Sequence, residues 1–172
     1  MAVALAAGWA FFFYQSGAEE LAAVDAARAA VNAMRTLDSR WNDQTAAARA
    51  AGGGRFEPVP HGRTYSDLEV RTLRVTYPGI GLALIGVKNA FDEKAGSVHR
   101  VARGETMFEQ ARLAPTGPRL DALSRALDRA FNDALLRADV YRAWLLYYSL
   151  FLLTLLLYVL YRILTARVPA AP

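Results

Sequence analysis

Six side chains stand out by type and neighbourhood as candidates for chemistry: Glu57, His61, Asp92, Glu93, Ser97 and His99. A His-x-x-x-His or Glu-x-x-His pair would put two metal ligands on one helix face, and neither spacing occurs. Glu57 and His61 are four apart, but Pro58 and Pro60 intervene and forbid a helix there. Asp92 and Glu93 are adjacent, so on a helix they point to different sides and read as solvated charges rather than an acid/base pair. Ser97 has His99 close by in sequence, with no third member for a hydrolytic triad. Gly52-Gly53-Gly54 lacks a following Gly-Lys-Ser/Thr and a preceding strand, so it is not a phosphate-binding loop. The chain has no cysteine, which excludes disulfides, thiolate metal sites and cysteine nucleophiles. The expectation is a protein without catalysis, with no metal and no cofactor.

Charge points the same way. The 172 residues carry a net charge of +4, and 18 of the 20 cationic side chains are Arg. They are scattered among acids with no basic block, which is the pattern of solvated helix faces rather than of a nucleic-acid surface. Hydrophobic residues make up 54% of the chain, and that apolar content implies a membrane protein.

The elements that would hold these side chains are helices. Residues 141–166 read as a transmembrane helix. Ala143 to Ile163 is uncharged and Leu-rich, and about 20 such residues span a bilayer core. Trp144, Tyr147 and Tyr148 sit at one end and Tyr158 and Tyr161 at the other, the two interfacial belts, while Arg142 and Arg162 bracket the run. Residues 1–18 read as a shorter N-terminal anchor. Ser16-Gly17-Ala18 would suit a signal peptidase, but no Lys or Arg precedes the apolar run, so a retained anchor is expected. Arg162 and Arg167 predict a cytoplasmic side for the end of the chain, with residues 167–172 a short tail. Two spans then put both termini in the cytoplasm and residues 19–140 in the periplasm, at a bacterial inner membrane.

Between the anchors the helical period dominates. Leu21, Val24, Val31, Met34, Leu37 and Trp41 predict one long helix that ends in the Gly/Pro loop beginning at Gly52. Residues 66–77 predict a second helix, capped by Ser66 or Asp67 and stopping before Pro78. Ile80, Leu84, Val87, Phe91, Val98, Val101, Phe108 and Leu113 predict a third, running to Pro115. Thr116 and Pro118 suit the start of a fourth, marked by Leu120, Leu123, Leu127, Phe131 and Leu135. With no breaker before Val168, it is a rod on the order of 70 Å long. The predicted fold is all-α, an up-down-up-down bundle outside the membrane held by N- and C-terminal transmembrane helices. Trp41, Phe91 and Phe108 are expected in its core. The stretch Gly79-Ile80-Gly81-Leu82 opens a run too short to span and apolar on most faces, expected either as a buried helix start or as a docking surface for lipid or another subunit.

Three stretches carry a resemblance. "LDSRWNDQTAAARA" at 37–50, "AFDEKAGSVHRVARGETMFEQA" at 90–111 and the run from Leu113 to Leu164 resemble the first outer helix, the Lys-containing middle helix and the final helix with second anchor of the DAHL domain, a helical extracytoplasmic module of bacterial sensor histidine kinases. The resemblance implies a sensory input module, a ligand between the helices and a homodimer. The sequence has no phosphoacceptor or ATP-binding region after the second anchor. The preferred expectation is therefore a non-catalytic accessory subunit docking onto other membrane-protein subunits and the lipid bilayer, with a photosynthetic or respiratory complex as the expected host.

Overall fold

The computed structural model describes residues 2–52, 55–105 and 115–166. It is helical, with α1 at Ala2–Ala50, α2 at Gly62–Thr72, α3 at Ile80–Ala102 and α4 at Gly117–Ala166, and no strand among the described residues. The chain divides into two compact units, Glu19–Asp133 and a second made of Met1–Ala18 with Ala134–Pro172.

In the unit Glu19–Asp133 the core is the apolar stripe of each helix. Val24, Val31, Met34 and Trp41 of α1 are buried with Val87 and Phe91 of α3, and Leu120, Leu123 and Leu127 of α4 join the same cluster. The α1–α4 seam is edged by two ion pairs, Arg28–Asp128 at 2.6 Å and Arg35–Asp121 at 2.8 Å. The pairings fall in opposite chain order, as antiparallel helices require. Arg28 also lies 4.1 Å over the Phe131 ring. These guanidinium–carboxylate pairs are largely solvated, so each contributes at most about 1 kcal/mol.

Glycines set the helix ends. α1 stops where Gly52 takes a φ of 77°, with its N–H donating to the Arg49 carbonyl. The third helix was expected to run to Pro115. Instead α3 ends at Ala102, because Gly104 adopts a φ of 75°. There the Gly104 N–H donates to Val101 O and the Glu105 N–H to Arg100 O, the paired reversal that satisfies the last carbonyls of a helix. Phe108 and Leu113, expected on the same stripe, lie outside the described residues.

The second helix also starts earlier than expected, at Gly62, and stops at Thr72. Neither Ser66 nor Asp67 caps it, and the His61 position before it makes no side-chain cap. Tertiary burial overrides capping: Tyr65 packs on the core, and Leu68 and Thr72 are buried nearly two and nearly three turns into the helix. At the fourth helix Thr116 precedes Gly117 as expected, and its carbonyl accepts from the Arg119 and Leu120 N–H groups. Its hydroxyl is committed elsewhere.

In the other unit, α4 from Ala134 to Ala166 bears an apolar surface that is mostly exposed. Trp144 is 69%, Leu146 72% and Tyr147 71% exposed. This helix is long and apolar enough to cross a membrane, and it is the one such helix among the described residues. The start of α1 exposes Trp9, Phe11, Phe12 and Tyr14.

Candidate functional site

Lys94 occupies a core position of α3. It falls three residues after Phe91 and four before Val98, so the helix aims it inward with them, and it is 3% exposed. A buried ammonium needs partners. α1 supplies them from two positions four residues apart: Lys94 Nζ donates to Asp38 Oδ1 at 2.6 Å and to Asn42 Oδ1 at 2.6 Å. The same Asp38 oxygen accepts from the Thr116 hydroxyl, at the entrance to α4. One carboxylate oxygen thus ties α1, α3 and the start of α4 together. The side chains of Lys94 and Asp38 are only 4% and 16% exposed, so this pair is far drier than the Arg pairs along α1 and α4. The arrangement fixes helix register by charge-assisted hydrogen bonds that a slipped pairing would lose.

The next layer is aromatic. Trp41 is fully buried, its ring 6.0 Å from that of Phe91 and 5.4 Å from that of His61. Its indole N–H donates to the Val59 carbonyl at 2.9 Å. Gln44, three residues on, donates to the Glu57 carbonyl and accepts from the Val59 N–H. Side chains of α1 thereby satisfy the backbone of a Pro-rich loop that has no helix or sheet of its own. Trp41 and Phe91 are core residues, as expected.

The residues first weighed for chemistry stay apart or are engaged locally. Ser97 donates to the Glu93 carbonyl of its own helix and accepts from Arg100. Asp92 and Glu93 are exposed. The fold does bring His61 and His99 together, with ring centroids 6.4 Å apart, a proximity their separation in sequence concealed. No group of three or more potential metal ligands occurs among the described residues.

The expected contact residues divide. Ile80 is buried, while Leu82 is 78% exposed. Gly79 is exposed with a φ of 85°, and a side chain added at Gly81 would meet open space. Trp144, Tyr147, Tyr158, Tyr161 and Arg162 are exposed on α4, and Tyr148 is half-buried. Sequence reading missed the Lys94 network. Its signal was present: a lysine in the α3 core register, and Asp38 and Asn42 flanking Trp41 at helical spacing.

Burial, then the charges of Glu69 and Asp92, raise the Tyr65 hydroxyl above its ordinary 10.0. A raised value means the fold favours the neutral phenol. Its stabilising contribution is therefore present below pH 10 and lost as pH rises through the folded value. Tyr65→Phe is expected to unfold less steeply than the parent above pH 10, measured by alkaline titration of helicity.

No family model, curated protein or solved structure matches this chain.

Proposed function

We propose that this protein is a non-catalytic, membrane-anchored accessory subunit that docks onto other membrane-protein subunits. The observation that carries the proposal is the α4 surface past Ala134. Leu136, Trp144, Tyr147, Leu150, Phe151 and Tyr161 are each more than 60% exposed, and the six consecutive residues from Leu155 to Leu160, which turn through every face of the helix, are 46–61% exposed. An all-round apolar helix must cover every face, and lipid together with a neighbouring transmembrane helix is what covers it.

The proposal includes two spans, with the start of α1 as the second anchor, and an up-down-up-down bundle between them in the periplasm of a bacterial inner membrane. The opposite order of the Arg28–Asp128 and Arg35–Asp121 pairs supports the antiparallel arrangement of α1 and α4. The cationic Arg162 and Arg167 beyond the apolar run support cytoplasmic ends. Photosynthetic and respiratory assemblies are the proposed hosts.

A sensory input module, the role implied by the DAHL resemblance, is the second reading. The buried Lys94–Asp38 pair favours it, since a polar core contact joining three segments is the kind of element a signal can rearrange. A mild-detergent pull-down of tagged protein, with mass spectrometry and an absorption spectrum, separates the two. Recovery of a stable multi-subunit complex is expected. Recovery of a homodimer alone, or of a separate histidine kinase, overturns the accessory reading.

A further inference from the structure

The hairpin formed by the end of α2 and the start of α3 bears an apolar surface that the core does not use. Val70 and Leu73 are 52% and 68% exposed, and Leu82 and Ile85 are 78% and 56% exposed. The short connection from Leu73 to Gly79 keeps all four close to one tip. Lys88 of α3 lies 5.8 Å over the Tyr65 ring of α2, which holds the two arms of the hairpin together. Ile80, Leu84 and Val87 of α3 are buried in the core, so Leu82 and Ile85 project from the opposite side of that helix.

Glu69 adjoins Val70 on α2, and beyond it toward the tip the charges are cationic. Arg71 and Arg74 are exposed, and no Asp or Glu occurs between Val70 and Val87. Large apolar side chains rimmed by arginine match the boundary between the headgroups and acyl chains of an anionic bilayer. A symmetric contact with a second copy would bring Arg71 and Arg74 against their own equivalents, which like-charge repulsion opposes.

The tip also has a definite place in its unit. His61 stacks near both Trp41 and His99, Lys94 reaches Asp38, and Gly86 lies against the side chain of Arg119, two residues from the Asp121–Arg35 pair. From the Lys94 level to the Gly86 level, α3 descends 94 to 86 while α1 descends 38 to 35. The start of α3 therefore lies toward the Glu19 end of α1. By the order of the Arg28 and Arg35 pairs, that is also the end at which α4 reaches Asp133.

We infer that the α2–α3 tip, through Leu73, Leu82 and Ile85 with Arg71 and Arg74, is a docking surface for an anionic lipid headgroup layer. The inference rests on the membrane-anchored reading above and names lipid as the occupant of this face.

The chain has no cysteine, so single labels are placed cleanly. Full-length protein carrying a spin label at Leu82→Cys, Asp43→Cys or Leu153→Cys is reconstituted alone into nanodiscs of phosphatidylcholine with or without phosphatidylglycerol. Accessibility to a water-soluble nickel chelate is then read. The expected result is about tenfold lower accessibility at position 82 than at position 43 in anionic discs, lost on adding Arg71→Glu with Arg74→Glu. Equal accessibility at 82 and 43, with 153 shielded, overturns the tip proposal and leaves the anchor standing. Water access at both 82 and 153 overturns the two together. Shielding of 82 that grows with protein concentration in lipid-free detergent assigns the face to a second copy and overturns the lipid assignment.

Discussion

Lys94→Ala is expected to destabilise the unit Glu19–Asp133 by about 3–5 kcal/mol, the cost of leaving one member of a buried ion pair without its partner. Removing the ammonium strands the Asp38 carboxylate, which keeps the Thr116 hydroxyl as its recorded partner, and frees Asn42 as well. Much of this loss is desolvation rather than lost attraction. Lys94→Met combined with Asp38→Leu and Thr116→Val is therefore expected to recover most of it, since apolar residues of similar volume often replace a buried pair at little cost and the third change removes the hydroxyl that Asp38 would otherwise leave unpaired. Urea unfolding of the full chain in detergent, followed by near-UV circular dichroism, measures both. A single variant within about 0.5 kcal/mol of the parent would show that water reaches the pair and that surface-pair energetics apply. The combined variant further tests the register role: retained stability with loss of a single sharp unfolding transition would assign the network to specificity rather than to strength.

Trp41→Ala is expected to cost a similar amount, about 3–5 kcal/mol, by opening a large cavity in the core. The indole is fully buried against Phe91 and His61, and its N–H is the partner of the Val59 carbonyl. Trp41→Phe keeps most of the ring packing and leaves that carbonyl without its donor, so about 1–3 kcal/mol is expected. Hydrogen exchange separates the two effects. In Trp41→Ala the Val59 amide, held by Gln44, should exchange faster along with the core of α1 and α3, whereas in Trp41→Phe the increase should stay confined to the loop. Unchanged protection at Val59 in both variants would mean that Gln44 alone fixes the loop. Trp41 lies between Asp38 and Asn42, so its effect and that of Lys94→Ala are not expected to add.

Much of the architecture was legible in the residues. Ala-rich and Leu-rich periodicity over α1 and α4 requires helices, because no break interrupts the 3.6-residue repeat. The apolar stripe Ile80, Leu84, Val87, Phe91 named the buried face of α3 residue by residue. Gly52 marked the end of α1, since a left-handed residue there satisfies the last carbonyls. The same signal stood at Gly104 and was overridden by the apolar stripe continuing to Phe108. Stripe periodicity says which face is inward, while the left-handed glycine says where the backbone turns, and at the end of α3 the backbone decided. At α2 the competition ran the other way. Ser66 and Asp67 are good capping residues, yet the helix starts at Gly62 and carries Tyr65, ahead of both, onto the core.

Composition and local pattern determined that this protein is helical and that its C-terminal run is long enough to cross a bilayer. Those properties depend on neighbours within a turn or two of helix. Tertiary structure alone decided that Lys94 meets Asp38 and Asn42, that Thr116 reaches the same Asp38 oxygen, and that His61 stands beside His99. These partners lie tens of residues apart, and their distances follow from how the helices stack and at what register. A helix period fixes the direction of each side chain about its own axis and carries no information about which residue of another helix arrives to meet it.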